Sequence, residues 1–108
     1  MFYDNRHYFE YVEACRAEGI TVPVIPGLKI LTGKGQLRSI PRTFYAEIPP
    51  ALSEAVEAAK DDREAQEVGV EWAKRQVEEL LEANVPTVHF YVLQSADAIR
   101  ELMARLDL

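Results

Sequence analysis

Three residues of this chain pair a useful chemistry with a position from which it could act on a ligand. Gln36 follows a glycine-containing stretch and carries an amide that both donates and accepts hydrogen bonds. Tyr91 and Leu93 stand towards the C-terminal end of the strongest apolar run, Thr87 to Leu93. In parallel α/β folds the ligand lies beyond that end of the strands. An aromatic ring and a leucine there would offer apolar area to a flat ligand, and the amide would orient it. The plain alternatives are an exposed loop glutamine and ordinary packed side chains. The aromatic residues Phe2, Tyr3, Tyr8, Phe9, Tyr11, Phe44 and Tyr45 are in general more often core than stacking platform.

Other chemistries fail on spacing. Gly27 to Gly35 resembles a phosphate loop only loosely. Such a loop needs four residues between its first glycine and the Gly-Lys pair, then Ser or Thr. Here five residues separate Gly27 from Gly33-Lys34, and Gly35 follows. No G-x-G-x-x-G follows a strand. One cysteine and two distant histidines make no zinc pattern, so no metal is expected. Cys15 falls on the apolar stripe of a helix and reads as a buried structural thiol rather than a nucleophile. His89 reads as a packed core or interface histidine in preference to a ligand-facing group.

The elements that must position these residues follow from periodicity. Asp4-Asn5 would cap a helix over 6–18 with Tyr8, Phe9, Val12 and Cys15 on one face, ended by Gly19. Ile20 to Ile25 reads as a short buried strand, weakened by Pro23 and ended by a Pro26-Gly27 turn. Residues 28–49 read as a loop, a short helix around 35–40 and an extended piece at 44–48. Pro50 opens a helix over 50–59. Asp61-Asp62 cap a longer one to about Ala83, with an apolar stripe of Val70, Ala73, Val77, Leu80 and Leu81. Thr87 to Leu93 is apolar or aromatic on both faces, as in a strand covered on both sides. Ser95 caps a last helix bearing Ile99, Leu102, Met103 and Leu106. Strands alternating with helices predict a parallel α/β unit. So few strands would leave unpaired edges, which predicts a missing remainder and a tendency to self-associate as a homo-oligomer.

Composition bounds the rest. The 108 residues are 48% hydrophobic and 28% charged, with a net charge of −6. That is globular, and too short for a whole eight-stranded barrel, which needs roughly 250 residues. The acidic balance argues against nucleic acid and anionic membranes as partners. No run reaches about 18 apolar residues, and the N-terminus lacks a secretory pattern. With a single cysteine, the expectation is a cytoplasmic protein.

An ordered set of short motifs carries a resemblance. Phe2-Tyr3-Asp4 followed by a Tyr8-Phe9 helix, Ile25-Pro26-Gly27-Leu28, Gln36 in the next helix, Ile48-Pro49, and His89-Phe90-Tyr91-Val92-Leu93 resemble, in that order, segments of the methylenetetrahydrofolate reductases. The matches span nearly the whole chain. The resemblance implies a TIM (β/α)8 barrel, with residues 1–108 forming its C-terminal portion of parallel strands and outer helices. It implies a flavoprotein that uses FAD and NAD(P)H to reduce 5,10-methylenetetrahydrofolate to 5-methyltetrahydrofolate, in one-carbon and methionine metabolism. Gln36 would then meet the folate pterin, and Tyr91 and Leu93 would line the substrate site. The family's catalytic glutamate, most FAD contacts and a second folate-binding glutamine would lie upstream of Met1. No catalytic residue is therefore expected here, and these residues by themselves are expected to be inactive. The alternative is a non-catalytic module that completes a barrel in trans or binds a partner. The chain departs from the family at Ser95, where a basic residue often helps to hold the folate.

Overall fold

The computed structural model describes residues 1–93 and 95–107. Helix α1 (Asn5–Ala17) starts where the Asp4 carboxylate accepts the Arg6 N–H, and the chain leaves it through Gly19 at φ 81°. Strand β1 (Gly27–Leu28) precedes α2 (Gln36–Phe44) and α3 (Pro50–Glu57), with Pro50 in the first turn of α3. The long α4 (Asp62–Glu82) is capped by Asp61, whose carboxylate accepts the Glu64 N–H. Strand β2 (His89–Phe90) and α5 (Asp97–Leu106) complete the order. β1 and β2 pair in parallel, Gly27 opposite His89 and Leu28 opposite Phe90. The chain is thus mainly helical with a small parallel sheet. Among the described residues no helix is long and apolar enough to cross a membrane.

Helix α4 stands between two apolar clusters. One joins Leu28 and Ile30 to Val70, Val77 and Leu80 of α4 and Leu102 of α5. The other joins Tyr3, Leu31 and Ile40 to Leu52 and Val56 of α3 and Ala65 of α4. The stripe of α4 therefore serves two layers, while Leu81, placed on it by periodicity, is 46% exposed and belongs to neither cluster. Two polar side chains sit inside. Asn5 Nδ2 donates to the Gln76 carbonyl at 3.0 Å, and Gln76 Nε2 donates back to Asn5 Oδ1 at 3.0 Å and to the Phe2 carbonyl at 3.3 Å. Trp72 Nε1 donates to the Tyr3 carbonyl at 2.8 Å. Side chains of α4 thereby satisfy the backbone of the opening residues, which buried carbonyls require.

Several expectations need correction. Residues 20–25 form no strand: Ile20, Val22 and Ile25 are exposed, and their ties are to α1, through the Ile20 N–H donating to the Cys15 carbonyl and Arg16 donating to the Ile20 and Val22 carbonyls. Gly27 belongs to the ladder instead of a turn, since Pro26 offers its carbonyl to the His89 N–H at 2.9 Å. The run 87–93 is regular only at His89–Phe90. Its Val88 and Phe90 face the first cluster, but His89, Tyr91 and Leu93 are exposed and so is Val92, so one face is covered, and only as far as Phe90. Helix α2 runs through Pro41 to Phe44, beyond the expected 35–40, because a proline removes one amide bond and its ring can be borne where Leu37 and Ile40 anchor the helix on the core. The extended piece expected at 44–48 is interrupted by Tyr45 at φ 55°. Cys15 is half-buried, not buried, because α1 touches the core mainly through Tyr8 and Phe9.

Candidate functional site

Beyond the C-terminal ends of β1 and β2 lies an open cleft of about 340 Å³. That is the lower end of the size range for small-molecule sites, roughly 300–1,000 Å³. Gln36, Tyr91 and Leu93, separated by up to 57 residues in sequence, all line it. The parallel pairing is what brings them together. The Leu28 carbonyl accepts the Tyr91 N–H at 2.9 Å, so the segment leaving β2 runs beside the segment leaving β1. Helix α2 then supplies one wall from its first residue, Gln36, and the start of α5 supplies another through Ser95 and Ala98.

Each of the three side chains is held differently. Gln36 Oε1 accepts the Thr32 backbone N–H at 2.7 Å, with Thr32 Oγ1 at 3.5 Å. The turn between them is fixed from outside: the Lys34 N–H donates to Asp62 Oδ1 at 3.1 Å and Lys34 Nζ donates to the Ala59 carbonyl at 2.9 Å. Tyr91 lays its ring over Gly27, where a Cβ would come within 2.7 Å of Cε2. The His89 ring meets Tyr91 edge-on, with centroids 4.7 Å apart. Leu93 is 74% exposed. His89 itself is an exposed residue outside the cleft lining, so of the two places expected for it, core or interface, the core is overturned; its ring neighbour is Tyr91.

The lining is built for binding. Its polar groups include Lys29, Thr32, Gln36 and Ser39, and among the described lining residues there is no Asp, Glu or His to move a proton. No group of three His, Cys, Asp or Glu among the described residues could hold a metal. Ser95 does line the cleft, and its Oγ accepts the Asp97 N–H at 3.2 Å, but the N-cap of α5 is Ala96, so the capping place expected for Ser95 is corrected by one residue. Sequence reasoning missed three contributors. Thr32 and Gly27 matter through non-local neighbours. Gly69 matters because a Cβ there would overlap the Leu31 carbonyl, so α4 is pressed against the segment that carries the cleft floor. A glycine in mid-helix was the available signal, since it costs about 1 kcal/mol against alanine unless something needs it. Away from the cleft, Tyr3 buries a hydroxyl with no partner among the described residues, and burial pushes its phenol above the ordinary value of 10.0.

The family model for methylenetetrahydrofolate reductase matches residues 1–107. The chain is 30% identical, over its whole length, to a probable methylenetetrahydrofolate reductase (NADPH) of Caenorhabditis elegans, of which it covers 17%. It is 29% identical to a probable methylenetetrahydrofolate reductase (NADH) of Oryza sativa, again over its whole length and 18% of that relative. Against the 5,10-methylenetetrahydrofolate reductase of Escherichia coli it is 28% identical over 90% of this chain and 33% of the relative. The chain thus spans between about a sixth and a third of the length of these curated relatives. By the match over nearly all its residues, the chain belongs to the methylenetetrahydrofolate reductase family.

Proposed function

We propose that this chain forms one wall of the substrate site of a methylenetetrahydrofolate reductase, which reduces 5,10-methylenetetrahydrofolate to 5-methyltetrahydrofolate with NADH or NADPH. The observation that carries the reading is the convergence of Gln36, Tyr91 and Leu93 on one cleft beyond the ends of two parallel strands. Tyr91 offers a ring for a flat heterocycle, Leu93 an apolar rim and Gln36 a fixed amide. Gln36, Tyr91 and Leu93 here bind and orient.

FAD is the hydride carrier that the family implies. The residues present do not fit a whole flavin dinucleotide. The cleft measures about 340 Å³, and Lys29 is the one cation among its described lining residues that could meet a pyrophosphate. We propose that the flavin is held by other strands of a TIM barrel, to which β1 and β2 contribute as C-terminal strands. The exposed Ile20, Val22 and Ile25, outside the cleft, are where such strands would cover this chain, from the same polypeptide or from a second one in trans. The proposed location is the cytoplasm.

The test has two readings on the purified chain. Saturable binding of folic acid, lost in Tyr91→Ala, with no flavin absorbance and no NAD(P)H oxidation, is expected. Stoichiometric FAD binding would overturn the division of the site, and absence of folate binding would overturn the assignment of the cleft. Restoration of NAD(P)H oxidation on adding a separately made remainder of a family barrel would favour assembly in trans.

A further inference from the structure

We propose that Lys29 makes the cleft selective for a ligand that carries an anionic oxygen group, a carboxylate or a phosphate. The inference rests on the folate reading of the cleft and adds a charge requirement to it.

The position of the lysine follows from strand geometry. Successive side chains point to opposite faces of a strand. Leu28 and Ile30 both belong to the first apolar cluster, so Lys29 between them takes the other face, where it lines the cleft. The register sets Gly27 beside His89 and Leu28 beside Phe90, and the next step brings Lys29 beside Tyr91. The Tyr91 N–H fixes that step by donating to the Leu28 carbonyl at 2.9 Å. The ammonium is therefore carried on the floor of the cleft, one residue past β1, next to the ring proposed to meet the ligand.

The charge of the cleft runs against that of the chain. Eighteen Asp and Glu face twelve Lys and Arg in the whole sequence. Among the described lining residues the balance is reversed: Lys29 is present and there is no Asp or Glu. None of the ion pairs among the described residues includes Lys29. Lys34 is the contrast, since its ammonium is committed to the Ala59 carbonyl and it stands outside the lining. A neutral acceptor can occupy a hydrogen-bond donor, but it does not cancel a charge. Ile40, Phe44 and Phe90 line the same space, and beside apolar walls a charge acts more strongly than in open water. An anionic oxygen on the ligand would answer it with a charge-assisted hydrogen bond. A neutral ligand of the same shape would not.

The test is calorimetry on the full chain with folic acid, folic acid dimethyl ester and ADP. The ester keeps every ring of folic acid and removes both carboxylate charges. The net charge of −6 by itself would make folic acid the weaker ligand of the two, so the opposite order points to a local cation. Lys29→Met keeps the length of the side chain and removes its charge, and Lys29→Arg keeps the charge. The unsubstituted chain and Lys29→Arg should bind folic acid about tenfold more tightly than the ester. Lys29→Met should bind both with the affinity of the ester. Equal affinities for folic acid and ester in the unsubstituted chain, with no ADP binding that depends on Lys29, would overturn the proposal and leave the folate reading standing. A preference for folic acid that persists in Lys29→Met would overturn it too. ADP binding lost in Lys29→Met, with neither folate compound bound, would uphold the charge requirement, assign the anion to a phosphate and overturn the folate reading. Binding of none of the three would overturn both.

Discussion

Gly69 of α4 lies so close to Leu31 that a methyl group on it would overlap the Leu31 carbonyl oxygen and come within 2.8 Å of the carbonyl carbon. The neighbour is backbone, so it cannot swing aside as a side chain would. The segment it belongs to runs from β1 to Thr32. Helix packing and site placement therefore depend on one missing side chain.

Gly69→Ala should destabilise the protein by about 2 kcal/mol, because overpacking against backbone outweighs the roughly 1 kcal/mol gained in helix propensity. Gly35→Ala is the contrast. Gly35 has ordinary helical angles, and a Cβ there would meet nothing within 4 Å. That change should stabilise by about 0.4–1 kcal/mol through the unfolded chain. Urea denaturation of both variants checks the pair, and equal effects would contradict the close approach.

Gly27→Ala should leave the fold intact and reshape the cleft. The atoms a Cβ would meet are Tyr91 Cε2 and Oη, the far end of a flexible side chain, at 2.7 and 2.9 Å. The ring would swing off the strand and lose its edge contact with His89. The expected outcome is a stability change under about 1 kcal/mol, with folic acid affinity reduced several-fold. A melting curve and a titration on the same sample separate the two.

The buried amide pair should behave as a unit. Gln76→Leu strands the Phe2 carbonyl and Asn5 Oδ1, and Asn5→Leu strands the Gln76 groups. Each should cost about 1–3 kcal/mol, the penalty of an unsatisfied buried polar group. The double variant should cost clearly less than the sum, since replacing both partners leaves fewer groups stranded. Strict additivity in a double-mutant cycle would show that the bonds are not coupled.

Acid should remove the advantage of the first helix cap. The side-chain bond from Arg6, then the Arg6 backbone N–H, hold the Asp4 carboxyl below its ordinary value of 3.8. A lowered native pKa means that the cap's contribution is present above the unfolded value and is lost as pH falls through the native one. Asp4→Ala should therefore cost about 1 kcal/mol at neutral pH. The difference from the unsubstituted protein should shrink below pH 3.8. Parallel denaturation at the two pH values checks it.

The sequence was legible wherever structure is made locally. Asp4, Asp61 and Pro50 announce their helices because a cap or a fixed φ acts within one turn, and α1, α3, α4 and α5 lie close to where periodicity puts them. Strands are a property of neighbours. Ile20 to Ile25 has the composition of a strand and no partner to make it one, while Gly27-Leu28 looks like the end of a turn and pairs because His89-Phe90 comes alongside. The cleft was half legible for the same reason. Tyr91 and Leu93 follow from strand direction, and Gln36 from its amide and the family likeness. Thr32 and Gly27 act through residues that are remote or that need the turn already formed, and nothing in their immediate sequence marks them.

The single tryptophan of the chain, Trp72, makes its indole bond to a carbonyl 69 residues earlier. Closing that span carries a loop entropy that grows only slowly with length, yet it can be recovered only once α4 exists as a rigid support. The indole is thus a built-in optical gauge of the moment at which the opening residues dock. In a stopped-flow experiment its emission would time the arrival of Tyr3 separately from the growth of helix, which circular dichroism follows. A lag between the two signals would identify the opening residues as the last part of the molecule to fold and the first to let go.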